Sequence, residues 1–252
     1  MFDNKTFAVV DLETTGTKRK DNDRIIQFGC ALIKHGKITK TYSFLINPEK
    51  DLLPVIENLT GIKNEDLKHQ PTFKHFAKQI NQILKNTIFV AHNVNFDLPF
   101  LNSELVEAGI EPLTNRSIDT VELAQITFPT FASFKLQDLT EKLNIKHTNP
   151  HQADSDAVVT AKLLLIMFEQ LRELPQATLH TLSALSKGLT RNTDYIFEEI
   201  AAFNRQTKRP LPSDMTQIKG IVLKKQKHDF SVEEPQIPQF PLNDSKKKDL
   251  FN

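Results

Sequence analysis

Cysteine is nearly absent from this chain, which has one, Cys30, among 252 residues. A single cysteine cannot form a disulfide within the chain, so the fold does not depend on one, and a reducing cytoplasm fits this composition. Cys30 lies in an apolar segment, and we predict that it is a small buried side chain.

Long apolar runs are absent too. The longest, residues 163–168, is far too short to cross a bilayer. Residues 1–5 include an acid and an amide where a signal peptide needs a basic segment followed by an apolar one. We therefore expect a protein that is not exported, makes no membrane contact and is located in the cytoplasm.

An excess of either charge is also missing, since 32 Lys and Arg residues stand against 31 Asp and Glu residues. The net charge of +1 is weak for a protein that grips long duplex nucleic acid by releasing counterions. It does not exclude a nuclease, because acids gathered around metal ions can offset basic residues placed along a substrate groove.

Short apolar runs predict the strands of a sheet. Two β-rich runs are joined by His35-Gly36, which is typical of a hairpin with a tight turn. With the run before them they predict an antiparallel edge of the sheet. The predicted strands cover residues 6–12, 24–34, 37–47, 88–91 and 116–119.

Apolar residues at helical spacing occupy most of the remaining chain. Asn95 is the predicted N-cap of the third helix, with Pro99 in its first turn. Strands and helices in this order predict an α/β fold with a mixed sheet flanked by helices. The predicted helices cover residues 52–59, 73–84, 96–108, 120–126, 136–143 and 153–171, and a helical pattern continues from 174 to about 203.

Three regions follow from these patterns. Residues 1–174 are predicted to form the main domain, and residues 175–228 a helical extension or connector. Residues 229–252 contain three prolines and a run of lysines, and are predicted to form a flexible tail or linker.

Four carboxylates follow strands or begin helices. Asp11 and Glu13 end the first strand, where the alternation of an extended chain puts both on one side. Asp97 and Asp156 lie near helix starts, so all four can meet at one sheet edge and bind Mg²⁺ or Mn²⁺. Taken singly, each has a structural alternative: a solvated turn, or an acid that complements a helix dipole.

His151 precedes Asp156 by five positions. A loop histidine beside metal-bound carboxylates could accept a proton from the attacking water near neutral pH. A surface histidine is the structural alternative, and we expect that role for His147 and His69.

These residues lie in segments 10–16, 91–97, 117–120 and 151–157, which in this order resemble the DEDDh exonucleases. The family includes the proofreading (epsilon) subunit of bacterial DNA polymerase III. The resemblance covers about residues 5 to 172 and implies a ribonuclease-H-like fold.

The resemblance further implies that Asp11, Glu13, Asp97 and Asp156 hold two divalent ions, Mg²⁺ or Mn²⁺, and that His151 is the general base. The implied enzyme is a metal-dependent 3′–5′ exonuclease of DNA replication or repair. It removes nucleoside 5′-monophosphates from single-stranded DNA or RNA 3′ ends by a two-metal mechanism.

The resemblance also implies contacts with the substrate, which we assign to the positions of this chain that match the family's motifs. Leu12, Thr14 and Thr15 would contact the last base and sugar, and His92 and Phe96 would flank the sugar. Core packing is the alternative for Leu12 and Phe96, and a structural hydrogen bond is the alternative for His92.

Three further polar residues in or near these segments receive structural assignments. Asp119 is predicted to cap the helix that follows it, and Asp154 to lie in the first turn of its own helix. Lys135 could reach a phosphate, but a solvated lysine is preferred.

Residues 182–189 and the helical run after them resemble the connection in bacterial proteins whose exonuclease precedes a damage-inducible (DinG-type) helicase. The chain has no Gly-x-x-x-x-Gly-Lys-Ser/Thr loop for ATP. A DNA polymerase or helicase module is therefore a candidate partner. The alternative to an enzyme is a non-catalytic module that holds nucleic-acid ends or docks on such a partner. The presence of all four acids and His151 favours the enzyme.

Overall fold

A five-stranded mixed sheet organises the protein in the order β3-β2-β1-β4-β5. The computed structural model describes residues 2, 4–18, 22–189, 191–207, 213–218 and 221–224. β1, β2 and β3 are antiparallel, whereas β4 and β5 run parallel to β1, which confirms the predicted mixed sheet. The strands are β1 (Thr6–Thr14), β2 (Ile25–Lys34), β3 (Lys37–Leu45), β4 (Ile88–Ala91) and β5 (Ser117–Asp119).

The predicted hairpin turn between β2 and β3 is confirmed. His35 has φ 53° and Gly36 has φ 71°, so both turn residues are left-handed. Two consecutive left-handed residues match the right-handed twist of the flanking strands, which is why a glycine suits this turn.

The helices cover both faces of the sheet, and most begin within a residue or two of their predicted positions. They are α1 (Pro54–Thr60), α2 (Asn64–Leu67), α3 (Phe73–Leu84), α4 (Val94–Glu107), α5 (Thr120–Thr127), α6 (Leu136–Lys142), α7 (Ala153–Arg172), α8 (Gln176–Leu185) and α9 (Tyr195–Thr207). The four-residue helix α2 was not predicted, because it is too short to show a period.

The start of α4 differs from the prediction. The N-cap is Asn93, with a left-handed φ of 83°, rather than Asn95. Pro99 consequently lies in the second turn, inside the helix, instead of in the first. The side chain of Pro99 is exposed, so the backbone N–H that proline lacks is missing from the solvent side of the helix.

Strand alternation divides the core into two layers. On β1, Phe7 and Val9 face α5, α7 and the C-terminal helices, whereas Ala8 and Val10 face α3 and α4. Cys30 belongs to the second layer and is buried, as predicted, and burial raises the pKa of its thiol to about 12.

The C-terminal extension packs on the first of these layers. Leu179 of α8 and Ile196, Phe197 and Ile200 of α9 are fully buried there. The predicted domain boundary at residue 174 stays a prediction, and the predicted tail, 229–252, lies outside the described residues. Among the described helices, none is long and apolar enough to span a membrane.

Two short antiparallel strands lie beyond the predicted helical pattern, which ends at about residue 203. They are β6 (Met215–Ile218) and β7 (Ile221–Lys224), and they follow α9. Each spans four residues, and neither was predicted from the sequence.

A buried ion pair joins the start of β2 to α4. The Arg24 guanidinium donates from Nε and Nη2 to the two oxygens of Glu104, at 3.0 and 2.9 Å, and Glu104 is 1% exposed. We expect Glu104→Gln to lower the free energy of unfolding by about 2 kcal/mol. The reason is that the Arg24 guanidinium would still be desolvated but would face a neutral amide instead of a carboxylate. Urea denaturation measures this change.

Glu107→Gln is the matched control for that variant. Glu107 pairs with the same Arg24 through Nη1 at 2.9 Å, but its side chain is 51% exposed. Exposed ion pairs contribute about 1 kcal/mol or less, so this variant should change stability little. Equal losses in the two variants would contradict the assignment of Glu104 as the buried anchor.

Candidate active site

The first pair of acids lies on the α7 side of β1. Asp11 and Glu13 continue the odd-numbered alternation of Phe7 and Val9, as predicted from the sequence. In the antiparallel register Asp11 lies opposite Gly29 of β2, and Glu13 lies opposite Gln27. These positions place both carboxylates beside the start of α7.

Asp97 reaches the same edge from the first turn of α4. It is 4% exposed, and the backbone N–H groups of Leu12 and Asp97 itself donate to its carboxylate. The start of α4 is held in turn by Asp119, whose Oδ2 accepts the Val94 N–H at 2.9 Å.

Asp119 caps two helices at once. Its Oδ1 accepts the Val121 N–H of α5 at 2.8 Å, which confirms the predicted cap, while its other oxygen serves α4. Its own backbone N–H donates to the Thr193 hydroxyl at 3.1 Å, so a residue of the C-terminal extension helps to hold β5.

The N-terminus of α7 brings the last acid and the histidine. Asp156 is buried in the first turn, and the preceding loop carries the exposed His151 with a left-handed φ of 62°. Gln27 anchors this end of the helix, because its Oε1 accepts the Ala153 N–H at 2.9 Å. Asp154 also lies in the first turn, as predicted, and its Oδ1 accepts from the Gln27 amide at 3.3 Å.

The acids interact strongly with one another. Burial raises the pKa of Asp11 well above its usual range, and the charges of Asp97, Asp156 and Glu13 raise it further. Burial and then Asp156 raise the pKa of Glu13 to about 7. The pKa of Asp97 is also raised, by burial first and then by Glu13 and Asp119, although its two backbone hydrogen bonds oppose this. The four predicted acids therefore do converge.

The donor set fits a hard divalent cation. One ligand atom each from Glu13, His151 and Asp156 lie within 4.8 Å of one another. Carboxylate oxygens are the ligands that Mg²⁺ and Mn²⁺ prefer, and a bound cation would offset the repulsion that raises the pKa values of Asp11 and Glu13. The carboxylates of this set could therefore hold a metal ion, with the His151 ring beside it.

The raised pKa of Glu13 predicts a pH dependence of stability without metal. Between its ordinary 4.5 and its folded value of about 7, the native state holds a proton that the unfolded state has lost. Stability therefore falls as the pH rises through this window. Thermal unfolding in chelator from about pH 5 to about pH 8 should show a smaller fall for Glu13→Gln than for the unaltered protein. Identical slopes would contradict this assignment.

The surface role predicted for His147 is wrong. Its side chain is 7% exposed, and Nε2 lies 2.6 Å from Oδ1 of Asp156. The loop between α6 and α7 folds back on the helix start, which a local sequence pattern does not reveal. His69 is exposed, as predicted.

The candidate substrate residues after Asp11 also shape the loop. Leu12 is buried in the second core layer, so its packing role is observed. The Thr14 hydroxyl donates to the Gly16 carbonyl at 2.6 Å. The Thr15 hydroxyl donates to Asp23 at 3.1 Å and accepts the Arg24 N–H at 3.0 Å.

The other two candidates lie at the start of α4. Both ring nitrogens of His92 have partners, the Thr120 hydroxyl and the Phe134 carbonyl, each at 2.9 Å, so the structural hydrogen bonds are observed. Burial lowers its pKa. Phe96 is half-buried against the second core layer. Lys135 is exposed, in keeping with a solvated lysine. Substrate contact by His92 and Phe96 stays a prediction.

Comparison with known proteins identifies the family. A family model described as Exonuclease matches residues 8–164. The chain belongs to this exonuclease family. The 3′-5′ exonuclease DinG of Bacillus subtilis is 41% identical over 204 residues, which is 81% of this chain and 22% of that protein. This exonuclease-family chain thus spans under a quarter of that relative's length.

Solved structures agree with the fold of this chain. The nuclease domain of 3′hExo, described as a DEDDh family member, has a TM-score of 0.58 at 19% identity and covers 66% of this chain and 92% of that one. Escherichia coli Exonuclease I with a dT13 oligonucleotide has a TM-score of 0.60 at 21% identity, covering 73% and 44%. The predicted fold class and family resemblance are confirmed.

Sequence reasoning missed three residues that contact the start of α7 beside the candidate site. Gln27 interrupts the apolar run from Ile25 to Ile33, and that interruption was the available signal. Gly29 lies in the same strand, where glycine is disfavoured unless another backbone approaches closely. His147 gave no local signal, since its partner Asp156 lies nine residues away across a loop.

Proposed function

We propose that this chain is a metal-dependent 3′–5′ exonuclease that releases nucleoside 5′-monophosphates from single-stranded DNA ends. The Bacillus subtilis relative named as a 3′-5′ exonuclease and the oligonucleotide bound to Exonuclease I support the direction and the substrate. The proposal extends to RNA ends as substrates. It also extends to a role in DNA replication or repair beside a polymerase or helicase module.

The convergence of four acids is the observation that carries the proposal. Buried like charges are costly, and the charges of Asp97, Asp156 and Glu13 all raise the pKa of Asp11. Cations bound at this sheet edge would offset that repulsion. In the proposal Asp11, Glu13, Asp97 and Asp156 would hold two Mg²⁺ or Mn²⁺ ions.

The bound cations would supply positive charge for the phosphate and for its attacking and leaving oxygens. The chain's own residues do the rest of the work. A ring nitrogen of His151 takes the proton of the attacking water, and the exposed position of His151 lets it reach that water. The residues that surround the terminal nucleotide are Leu12, Thr14, Thr15, His92 and Phe96. Those with buried side chains would contact it through their backbone and through the exposed edges of their side chains.

A non-catalytic module that holds nucleic-acid ends is the second candidate. It would use the same fold without hydrolysis. The juxtaposition of His151 with Glu13 and Asp156 favours the enzyme, because binding an end does not require a proton acceptor within 4.8 Å of two acids.

A digestion assay separates the two candidates. A 5′-labelled single-stranded DNA oligonucleotide and its RNA counterpart are incubated with the protein in Mg²⁺, in Mn²⁺ and in chelator. We expect a ladder that shortens from the 3′ end and disappears in chelator, and the faster substrate identifies the preferred sugar. Binding of either oligonucleotide without shortening would replace the enzyme by the end-binding module.

A further inference from the structure

We propose that His147 is a positioning residue that orients the Asp156 carboxylate for cation binding and fastens the loop that carries His151. The inference deepens the proposed function and rests on it, since it concerns the same metal site. It assigns a role to a side chain for which a solvated surface position was predicted.

Both oxygens of Asp156 are held by one segment. The His147 ring meets Oδ1 through Nε2 at 2.6 Å, and the His151 backbone N–H donates to Oδ2 at 3.1 Å. The carboxylate cannot rotate without losing one of these contacts. The same two bonds tie the segment from His147 to His151 to the first turn of α7, so the position of the His151 ring depends on them.

The chemistry of the contact assigns its direction. In the ionised form that binds a cation, the Asp156 carboxylate only accepts hydrogen bonds, so in that form Nε2 of His147 carries the hydrogen and donates. Each carboxylate oxygen has a second lone pair, and the bond from His147 therefore leaves Oδ1 able to bind a cation. Hydrogen bonds of this kind fix the orientation of a metal-binding carboxylate.

The cost of burying this ring argues against simple packing. Nδ1 of His147 is buried and has no hydrogen-bond partner among the residues that the structure describes. An aliphatic side chain would fill the same space without that cost. The contact with Asp156 is what the imidazole supplies and an aliphatic side chain would not.

The first test measures metal binding without nucleic acid. Chelator-stripped protein is titrated with Mn²⁺ by calorimetry for the unaltered chain, His147→Ala, His147→Gln and the exposed control His69→Ala. We expect His147→Ala to weaken Mn²⁺ binding about tenfold or more. His147→Gln should recover part of the loss, because its amide can still donate to Asp156, and His69→Ala should match the unaltered chain.

The second test separates positioning from a merely structural role. In the oligonucleotide assay, His147→Ala should need more Mn²⁺ for half-maximal activity, and saturating Mn²⁺ should restore only part of its rate, because the loop that carries His151 is no longer fastened. A structural role would instead lower the melting temperature in chelator and leave the Mn²⁺ concentration for half-maximal activity unchanged, with no rescue by His147→Gln.

The outcomes distinguish this inference from the proposed function. Unchanged Mn²⁺ affinity in His147→Ala overturns the positioning role, even if the unaltered chain digests DNA. If the unaltered chain binds Mn²⁺ but digests nothing, the proposed function fails, and the calorimetry still decides the role of His147. If the unaltered chain binds no Mn²⁺, both fail.

Discussion

Asp11→Asn should abolish digestion while making the metal-free protein more stable. Asn has nearly the shape of Asp but cannot carry the negative charge that a cation needs. The loss of rate should be on the order of 10³-fold or more, because the charge that stabilises the reacting phosphate is lost with the cation. The same change removes the buried charge on which the repulsion from Asp97, Asp156 and Glu13 acts.

Two measurements on one variant make this prediction sharp. The rate is measured with the labelled oligonucleotide in Mn²⁺, and the melting temperature is measured in chelator near neutral pH. A lower rate together with a higher melting temperature identifies a metal ligand. Replacement of a residue needed for folding would lower both the rate and the melting temperature. Asp51→Asn is the control, since Asp51 is exposed and should change neither quantity. A destabilised Asp11→Asn protein would contradict the electrostatic account.

Gly29→Ala should damage both the fold and the site. Gly29 lies opposite Asp11 in the sheet, and α7 begins directly above it. A Cβ at this position would lie far inside van der Waals contact with the backbone of Ala153 and Asp154. Because backbone cannot swing away as a flexible side chain can, either β2 or the start of α7 must shift.

We expect Gly29→Ala to cost roughly 3 kcal/mol of stability, at the upper end for an overpacked core. The displaced helix carries Asp156 and follows His151, so Mn²⁺ affinity should fall as well. Urea denaturation and Mn²⁺ calorimetry measure the two effects.

Gly188→Ala is the matched control for this variant. An added Cβ there meets nothing within 4 Å, and its φ is outside the left-handed region. Its stability should be unchanged or slightly higher, because alanine has fewer unfolded conformations than glycine. If Gly29→Ala behaved like this control, close packing of α7 on β2 would not be what positions the site.

Much of the fold was predictable because its signals are local. The continuous apolar run of β1, the turn pair His35-Gly36 and the helical period of α3 each lie within one short segment. The same locality placed Asp11 and Glu13 on one side of a strand. The start of α4 was missed by two residues, because Asn93 and Asn95 are both acceptable caps. Only the hydrogen bond that the Val94 N–H donates to Asp119 decides between them.

The sequence by itself determined which residues carry charge and where each stands in its own element: the Asp-Leu-Glu strand end, the acid of α4, and the histidine and acid around the start of α7. Only the tertiary structure decided how these elements meet. Gln27 holds Ala153 across 126 residues of chain, and Gly29 lets that helix approach. The His147 contact with Asp156 likewise forms only when a loop folds back onto α7. The physical reason is that the spacing of apolar residues shows which face of its own helix or strand a residue occupies. The residue that it contacts on another element depends on packing between segments that are distant in sequence.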